Sequence, residues 1–416
     1  MDRTVKKNLI MSVLLTGSGF VFPLVTYSYA ARVLGAEGTG RIAFAQSIMQ
    51  YFLYLAALGI PAYGLRECAK VRDDKEKLSQ VAQELAMISL ISASAAYLLF
   101  AAALLAVPKL FGYRRLLLVM SANIFLNAIG LEWLYQALEK YAYITTRTIL
   151  FRSVAVILTF AFVKSRDDEV LYALFTILIA SANYLCNLIN ARKYISLKRR
   201  ASYDLKGHIK PVLTLFSATA VITIYTNIDI SMLGFLRNEQ DVGLYNAAIG
   251  IKNVMLSSLT AITSVLVPRI ARSLRKGDAR ELDRLIRIAL RLSMMLVLPL
   301  AAFVFLFVDD VLRLVCGEGF SGAVIPLRIL MICMLPLIFT NIFGNLLLIP
   351  MGKEKLYSQS VVVGLFINVT LNGFLIPAWG GAGAAVAILA TELWNGFRMG
   401  SECMKNFKWD KGAIET

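Results

Sequence analysis

The chain has a single histidine, His208, and only 17% of its 416 residues are charged. One histidine cannot build a histidine-based metal cage or a catalytic triad, and no phosphate-binding or dinucleotide-binding glycine pattern occurs. The five cysteines have neither paired nor metal-ligand spacing, so they predict no disulfide framework. We therefore expect no metal site and no catalytic residues of these kinds.

Apolar residues, in contrast, are abundant. They make up 58% of the chain and its mean hydropathy is +0.67, whereas soluble domains are roughly 45–50% apolar and about 25% charged. A helix needs about 20 mostly apolar residues to cross a bilayer, and such windows recur throughout. The sequence predicts an all-α integral membrane protein with about twelve transmembrane helices, at 9–31, 42–65, 81–107, 116–137, 144–163, 170–191, 211–235, 244–268, 288–308, 324–351, 356–379 and 382–399.

The segments between these helices are short, which leaves no room for a soluble domain of useful size. An enzyme is therefore not expected. A membrane glycan polymerase or ligase is one alternative, but it would need a large catalytic outer loop. The largest outer loop here, about residues 309–323, is too small to favour that reading.

Lys and Arg are distributed unevenly between the two sides of the predicted membrane. With the N-terminus inside, 31 of the 43 lie in or beside the inner loops and 9 in the outer ones. Because cytoplasmic loops carry the excess of cations, both termini are predicted to be cytoplasmic. The basic segments 192–210 and 268–287 are interpreted as inner-face linkers that favour anionic lipid headgroups, and no nucleic-acid partner is expected.

The chain also divides into two similar halves. The longest basic loop separates six predicted helices from six, which gives an N-lobe at 1–205 and a C-lobe at 206–416. Each half opens with a helix, a short outer turn and a glycine before the second helix, so that Gly40 corresponds to Gly243. An even number of helices per half predicts a parallel repeat about a pseudo-two-fold axis along the membrane normal, with a cleft between the lobes.

Four motifs occur in a specific order: "LGAEGTGRIAFAQSI" at 34–48, "LGIPAYGLRECAKVRDDKEKL" at 58–78, "LEWLYQALEKYAYI" at 131–144, and "TNIDISMLG" followed by "DVGLYNAAIGIKN" within 226–253. In this order they resemble the O-antigen and teichoic acid type polysaccharide flippases of the multidrug, oligosaccharidyl-lipid and polysaccharide exporter superfamily. The resemblance implies a fold like that of multidrug and toxin extruders. It also implies transfer of undecaprenyl-pyrophosphate-linked glycans from the inner to the outer leaflet for cell-surface polysaccharide biosynthesis.

Apart from cations near the cytoplasmic ends, three cations lie inside predicted helices. Ionisable residues there are costly, about 2.5–3.5 kcal/mol each, and usually face a bundle interior or a water-filled cavity. Arg152, Lys252 and Arg328 are therefore candidates for binding the lipid pyrophosphate, because guanidinium and ammonium groups both bind phosphate oxygens. Snorkelling of Arg328 and local pairing of Arg152 remain alternatives. Asn227 and Asn253 are candidates for contacting the glycan in the same cavity. Asparagines four apart share one helical face, so each of four pairs predicts a polar stripe that either bonds a neighbouring helix or faces a wet cleft: Asn123/Asn127, Asn183/Asn187, Asn341/Asn345 and Asn368/Asn372.

Two carboxylates lie inside predicted helices of the second half. Asp229 is predicted roughly 9 Å below the outer end of its helix, near Lys252 in depth. It is either a structural counter-ion of Lys252 or a switch that releases Lys252 or takes up H⁺ or Na⁺. Glu392 is a weaker candidate for meeting a cation or coupling ion. No cofactor is expected apart from such an ion.

Three arginines at the ends of helices are candidates for gating or headgroup contacts. Arg32 and Arg41 flank the outer turn of the N-lobe, and Arg66 lies in the motif "YGLRE" at the inner end of the second helix. Positive-inside anchoring explains Arg66 equally well.

The other alternative is a cation-coupled multidrug exporter of the same superfamily, which would favour acidic residues in the N-lobe. The expected setting is the bacterial plasma membrane, with the lipid-linked glycan and membrane lipids as partners. Other membrane proteins of polysaccharide assembly are further candidate partners.

Overall fold

The computed structural model describes residues 3–196, 198 and 202–406, and all regular structure in these ranges is helical. The first half contains eight helices and the start of a ninth: α1 (Arg3–Ala57), α2 (Ile60–Lys70), α3 (Lys75–Ala106), α4 (Pro108–Gly112), α5 (Arg114–Ile129), α6 (Glu132–Ala137), α7 (Tyr141–Phe162), α8 (Glu169–Ala191) and α9 (Leu205–Leu236). The second half continues with α10 (Glu239–Lys276), α11 (Ala279–Leu306), α12 (Val308–Cys316), α13 (Val324–Thr340), a π-helical segment (Asn341–Leu348), α14 (Glu354–Trp379) and α15 (Gly381–Asn406).

Nine helices in the described ranges are long and apolar enough to span a membrane, or ten if the bent pair within α9 counts as one span. One of the nine, at 14–70, covers 57 residues, which is roughly 85 Å of helix at about 1.5 Å per residue. A hydrocarbon core is about 30 Å thick, so this stretch is long enough for two crossings. The protein is thus an all-helical, multi-pass membrane protein, consistent with about twelve spans.

Two glycines interrupt the first long helical stretch. Gly35 has a non-helical backbone (φ 70°, ψ −176°) and breaks α1 where the sequence predicts an outer turn; the chain on both sides of it stays helical. Gly59 (φ 74°) forms the turn between α1 and α2. A Cβ at Gly59 would lie 2.8 Å from the backbone nitrogen of Phe216, so the side chain's absence lets α9 approach this turn closely.

The chain divides into two compact units, residues 1–227 and 228–416. This division falls within α9, whereas the lobe boundary predicted from the sequence, at 205/206, lies at the start of the same helix. In the first unit, a core of α2, α3 and α6 includes Tyr63, Leu85 and Trp133. A Cβ at Gly64 would lie only 2.7 Å from the Trp133 ring, which shows how closely α2 and α6 pack.

Candidate functional site

Asp229 is buried in the second unit, with 5% of its surface exposed. It projects from α9 and its Oδ1 accepts a hydrogen bond of 2.6 Å from Asn372 Nδ2 on α14. The same Asn372 Nδ2 donates to Asn368 Oδ1 at 3.0 Å. Residues four apart share one face of a helix, so the two asparagines form the predicted stripe on α14, and Asn372 of that stripe binds the carboxylate.

Lys252 on α10 lies close enough to Asp229 to act on its charge, as does Tyr245, which lies two turns earlier on the same face of α10. Within the described part of the chain, however, no ion pair of 4.0 Å or less joins Lys252 to Asp229, and no direct hydrogen bond of the Lys252 ammonium occurs. The half-buried ammonium therefore interacts with Asp229 through its charge and not through a direct hydrogen bond or ion pair. An anionic ligand could bind it without first breaking an ion pair.

Arg152 lies in the first unit, on α7. Its Nη1 donates to Ser18 Oγ at 2.5 Å and to the Leu15 carbonyl oxygen at 3.3 Å, both on α1. Neither partner is charged, although the carboxylate of Glu132 acts on Arg152 from a greater distance. The half-buried guanidinium is thus positioned by neutral acceptors and has no direct anionic partner among the described residues.

A second buried cation, Arg147, was not predicted as a site residue. It is 7% exposed and lies on α7, five residues before Arg152. Its Nη2 donates to Glu132 Oε2 at 3.0 Å, its Nε donates to Asn183 Oδ1 at 2.6 Å, and its Nη1 donates to Asn187 Oδ1. Asn187 Nδ2 also donates to Glu132 Oε2 at 3.1 Å. The arginine, the glutamate and the asparagine pair of α8 therefore form one buried polar cluster.

Arg147 escaped prediction because it lies near the inner end of its helix, where a cation is ordinarily explained by charge bias. Glu132 precedes Trp133, and a tryptophan near the end of a span is ordinarily explained by interfacial anchoring. The signal available in the sequence is the stripe formed by Asn183 and Asn187, whose side chains need hydrogen-bonding partners inside the membrane. Only the tertiary arrangement of α6, α7 and α8 identifies that partner.

The other predicted cavity residues differ in how enclosed they are. Arg328 is exposed, with its guanidinium carbon 5.8 Å from the centre of the Phe305 ring. Asn227 donates to the Thr223 carbonyl oxygen at 2.9 Å, along its own helix, and Asn253 is exposed. Glu392 is buried on α15, and its charge acts on Cys333 and Tyr357. The structure does not bring these four residues into direct contact with Asp229.

Two of the three predicted gate arginines form ion pairs with nearby carboxylates. Arg41 forms an ion pair with Glu37 at 2.7 Å and lies 3.4 Å from Glu169 of α8. Arg66 lies 3.4 Å from Glu67. Arg32 is exposed on α1.

His208 has a structural position that the sequence did not predict. Its Nε2 lies 3.0 Å from Glu84 Oε2 on α3, and its Nδ1 lies 2.9 Å from the Tyr63 hydroxyl on α2. Glu84 also accepts hydrogen bonds from Gln80 and from the backbone nitrogen of Asp204. This cluster attaches the start of α9 to α2 and α3. Among the described residues no group of three or more metal-ligating side chains occurs.

Two known protein families match parts of this sequence. The family of polysaccharide biosynthesis proteins matches residues 5–274, and the MatE family matches residues 215–374. A putative O-antigen transporter of Escherichia coli (strain K12) is 24% identical over 394 residues, covering 94% of each chain.

Two solved structures share the fold. An inward-facing multidrug resistance MATE family transporter of the MOP superfamily has a TM-score of 0.69 at 16% identity, covering 93% of this chain and 96% of its own. The lipid II flippase MurJ in an inward closed conformation has a TM-score of 0.69 at 15% identity, covering 96% of this chain and 89% of its own. The predicted MATE-like fold is confirmed, and the match over residues 5–274 shows that the chain belongs to the polysaccharide biosynthesis protein family.

Proposed function

We propose that the protein is a flippase that moves undecaprenyl-pyrophosphate-linked oligosaccharide from the inner to the outer leaflet by alternating access, for cell-surface polysaccharide biosynthesis. The observation that carries this proposal is the family match over residues 5–274. The putative O-antigen transporter of Escherichia coli, similar over 94% of both chains, supports the same substrate class. The lipid II flippase neighbour supports a fold able to transfer a lipid-linked glycan.

The buried cations suit a pyrophosphate. Arg152 is fixed by neutral acceptors on α1, and Lys252 has no direct anionic partner among the described residues. In our proposal Arg152 binds phosphate oxygens through its planar guanidinium, and Lys252 supplies a point charge. The glycan contacts asparagines such as Asn227 and Asn253, while the polyprenyl tail stays in lipid. Arg328 contributes a further cation nearer one membrane surface.

In our proposal Asp229 controls Lys252. When the carboxylate is ionised, it attracts the Lys252 ammonium electrostatically. When the carboxylate takes up H⁺ or Na⁺, this attraction weakens, and Lys252 binds the pyrophosphate more readily. Glu392 is a second candidate for a coupling ion. Arg32, Arg41 and Arg66 would contact headgroups or gate the ends of the path. The proposed setting is the bacterial plasma membrane, with both termini cytoplasmic, a transport rather than an enzymatic activity, and partners in polysaccharide assembly.

A cation-coupled multidrug exporter is the second candidate, favoured by the MatE match over residues 215–374. The charges of the first unit favour the flippase. Within its helices the first unit holds the buried Arg147 and the half-buried Arg152, and the carboxylate of Glu132 acts on both. A net positive interior attracts an anionic lipid pyrophosphate and repels a cationic drug.

The test is leaflet transfer of a fluorescent polyprenyl-pyrophosphate oligosaccharide in proteoliposomes at several pH values. We expect transfer by the parent, at least a tenfold loss with Lys252→Ala, and loss of the pH dependence with Asp229→Asn. Lys276→Ala and Asp310→Asn are matched controls, because both side chains are exposed and lie outside the proposed site. They should transfer as the parent does.

Two outcomes would contradict the proposal. Unchanged transfer by folded Lys252→Ala protein would exclude a phosphate-binding role for that lysine. Ethidium export without transfer of any tested glycan would establish the drug exporter instead. If Asp229→Asn only lowers the melting temperature while transfer per folded molecule persists, the aspartate is a structural counter-ion.

A further inference from the structure

A cavity of about 540 Å³ lies between α14 and α15 in the second unit. It is remote in the sequence from Asp229 and Lys252, and neither residue lines it. Its wall includes Lys355, Ser358 and Gln359 near the start of α14 and Arg398 near the end of α15. These polar side chains therefore collect at one end of the two helices, next to the loop that precedes α14.

The charge at this end of the cavity is positive. Lys355 is exposed and has no hydrogen bond or ion pair with a described residue. Arg398 Nη1 lies 3.4 Å from Glu402, whose other carboxylate oxygen lies 3.6 Å from Lys353 Nζ. Glu402 is thus shared between two cations, and Glu354 does not line the cavity. Lys355 remains available to a ligand anion.

Uncharged hydrogen-bonding groups accompany these cations. Ser358 and Gln359 lie one turn beyond Lys355 on the cavity wall. The Trp394 indole also lines the cavity, and its buried Nε1–H has no acceptor among the described residues. An unsatisfied buried donor costs about 1–3 kcal/mol. A ligand oxygen that reached this donor would remove the cost.

The opposite end of the cavity is apolar. Val363 lines it eight residues after Lys355 on α14, roughly 12 Å further along the helix axis. A phospholipid has a polar headgroup at the membrane surface and acyl chains in the hydrocarbon core. The polar end of the cavity lies next to a loop and its apolar end lies within the span, which matches this arrangement. We propose that this cavity binds an anionic phospholipid of the bilayer, with the phosphate at Lys355 and Arg398 and an acyl chain along Val363. This inference does not depend on the transported substrate.

Native mass spectrometry of the purified full-length protein tests the site. The probes are phosphatidylglycerol and phosphatidylethanolamine with identical acyl chains, undecaprenyl phosphate and inorganic phosphate. We expect the parent to bind phosphatidylglycerol in preference to phosphatidylethanolamine. Lys355→Gln should lower phosphatidylglycerol binding about fivefold, the ratio that corresponds to about 1 kcal/mol per lysine near a membrane surface. Val363→Trp should fill the apolar end and reduce binding of both phospholipids.

Two matched controls separate this site from general lipid contact. Lys75→Gln changes an exposed lysine at the start of α3, and Val154→Trp changes a valine that is 41% exposed, as Val363 is. Both should bind lipid as the parent does. Equal binding by parent, Lys355→Gln and Val363→Trp would overturn the proposal. So would binding of inorganic phosphate alone as tight as that of phosphatidylglycerol, or displacement of phosphatidylglycerol by equimolar undecaprenyl phosphate, which would assign the cavity to the transported lipid.

Discussion

At the scale of single residues, asparagine pairs satisfy buried charges of both signs. On α8, Asn183 and Asn187 accept hydrogen bonds from Arg147, whereas on α14 Asn372 donates to Asp229. A carboxamide has both an acceptor oxygen and a donor nitrogen, so the same residue type suits either charge. The spacing of four identified these stripes from sequence, but it could not show which ion each one binds.

The ion pair in the Arg147 cluster gives a stability prediction. Glu132→Gln should destabilise the protein by about 1–3 kcal/mol, because Arg147 would keep its buried charge without a carboxylate. Arg147 is the more buried partner, since the side chain of Glu132 is 34% exposed and that of Arg147 is 6% exposed. The measurement is the melting temperature in a fixed detergent.

The matched control is Glu139→Gln, which removes an exposed ion pair with Arg72. Such surface pairs contribute about 0–1 kcal/mol. The double variant Glu132→Gln/Arg147→Gln should recover part of the lost stability, because it removes the uncompensated charge. Equal melting temperatures for Glu132→Gln and Glu139→Gln would refute a stabilising role for the cluster.

At the scale of helices, glycine sets how closely α14 and α15 approach. A Cβ at Gly383 would lie 2.3 Å from the backbone carbonyl oxygen of Leu375, far inside van der Waals contact. The obstacle is backbone, which cannot rotate away as a side chain can. The helices must therefore separate if any larger residue occupies this position.

Gly383→Ala should accordingly lower the melting temperature, by an amount that corresponds to about 1–3 kcal/mol of overpacking. Gly373→Ala is the matched control, since a Cβ there would have nothing within 4 Å. Alanine is favoured over glycine in a helix by about 1 kcal/mol, so the control should be neutral or stabilising. A Gly383→Ala protein as stable as Gly373→Ala would contradict the close approach.

The loop between α7 and α8 provides a pH-dependent prediction outside the membrane. Asp168 accepts hydrogen bonds from the backbone nitrogens of Lys164 at 2.8 Å and Ser165 at 2.7 Å. These bonds favour the ionised carboxylate and lower the pKa of Asp168 below its usual 3.8. A lowered pKa in the folded state means that ionised Asp168 stabilises the fold above pH 3.8, and that this contribution disappears as pH falls through the folded-state value.

Asp168→Asn should therefore melt below the parent at pH 7, with a difference that shrinks as the pH approaches 3. Asp167→Asn serves as the control because the neighbouring Asp167 is exposed and accepts no hydrogen bond from the described residues. Its melting temperature should follow that of the parent at every pH. A pH-independent difference for Asp168→Asn would show that the carboxylate's charge is not what stabilises the loop.

At the scale of the whole molecule, the bias of Lys and Arg predicts orientation. The segment 268–287 is expected inside and the loop at 164–168 outside. In a variant without the native cysteines, a membrane-impermeant maleimide should label Asp167→Cys in intact cells. It should label Lys276→Cys only after permeabilisation. The opposite pattern would invert the topology.

The sequence alone determined the class of the protein. Repeated apolar windows of bilayer length predict membrane-spanning helices. Every backbone polar group must be hydrogen-bonded within the membrane, and a helix forms these bonds within a single segment. The ordered motifs from 34 to 253 identified the family, and helical spacing identified the asparagine stripes. These features depend on neighbours along the chain, so they can be read without a structure.

The tertiary structure decided which charges meet. Asp229 and Asn372 are 143 residues apart, and Arg147 and Asn187 are 40 apart. No local periodicity encodes such distances, because they depend on how separate helices pack. Packing therefore assigned Asp229 to an asparagine pair rather than to direct contact with Lys252, and it buried Arg147, which charge bias alone had placed among the ordinary inner-face cations.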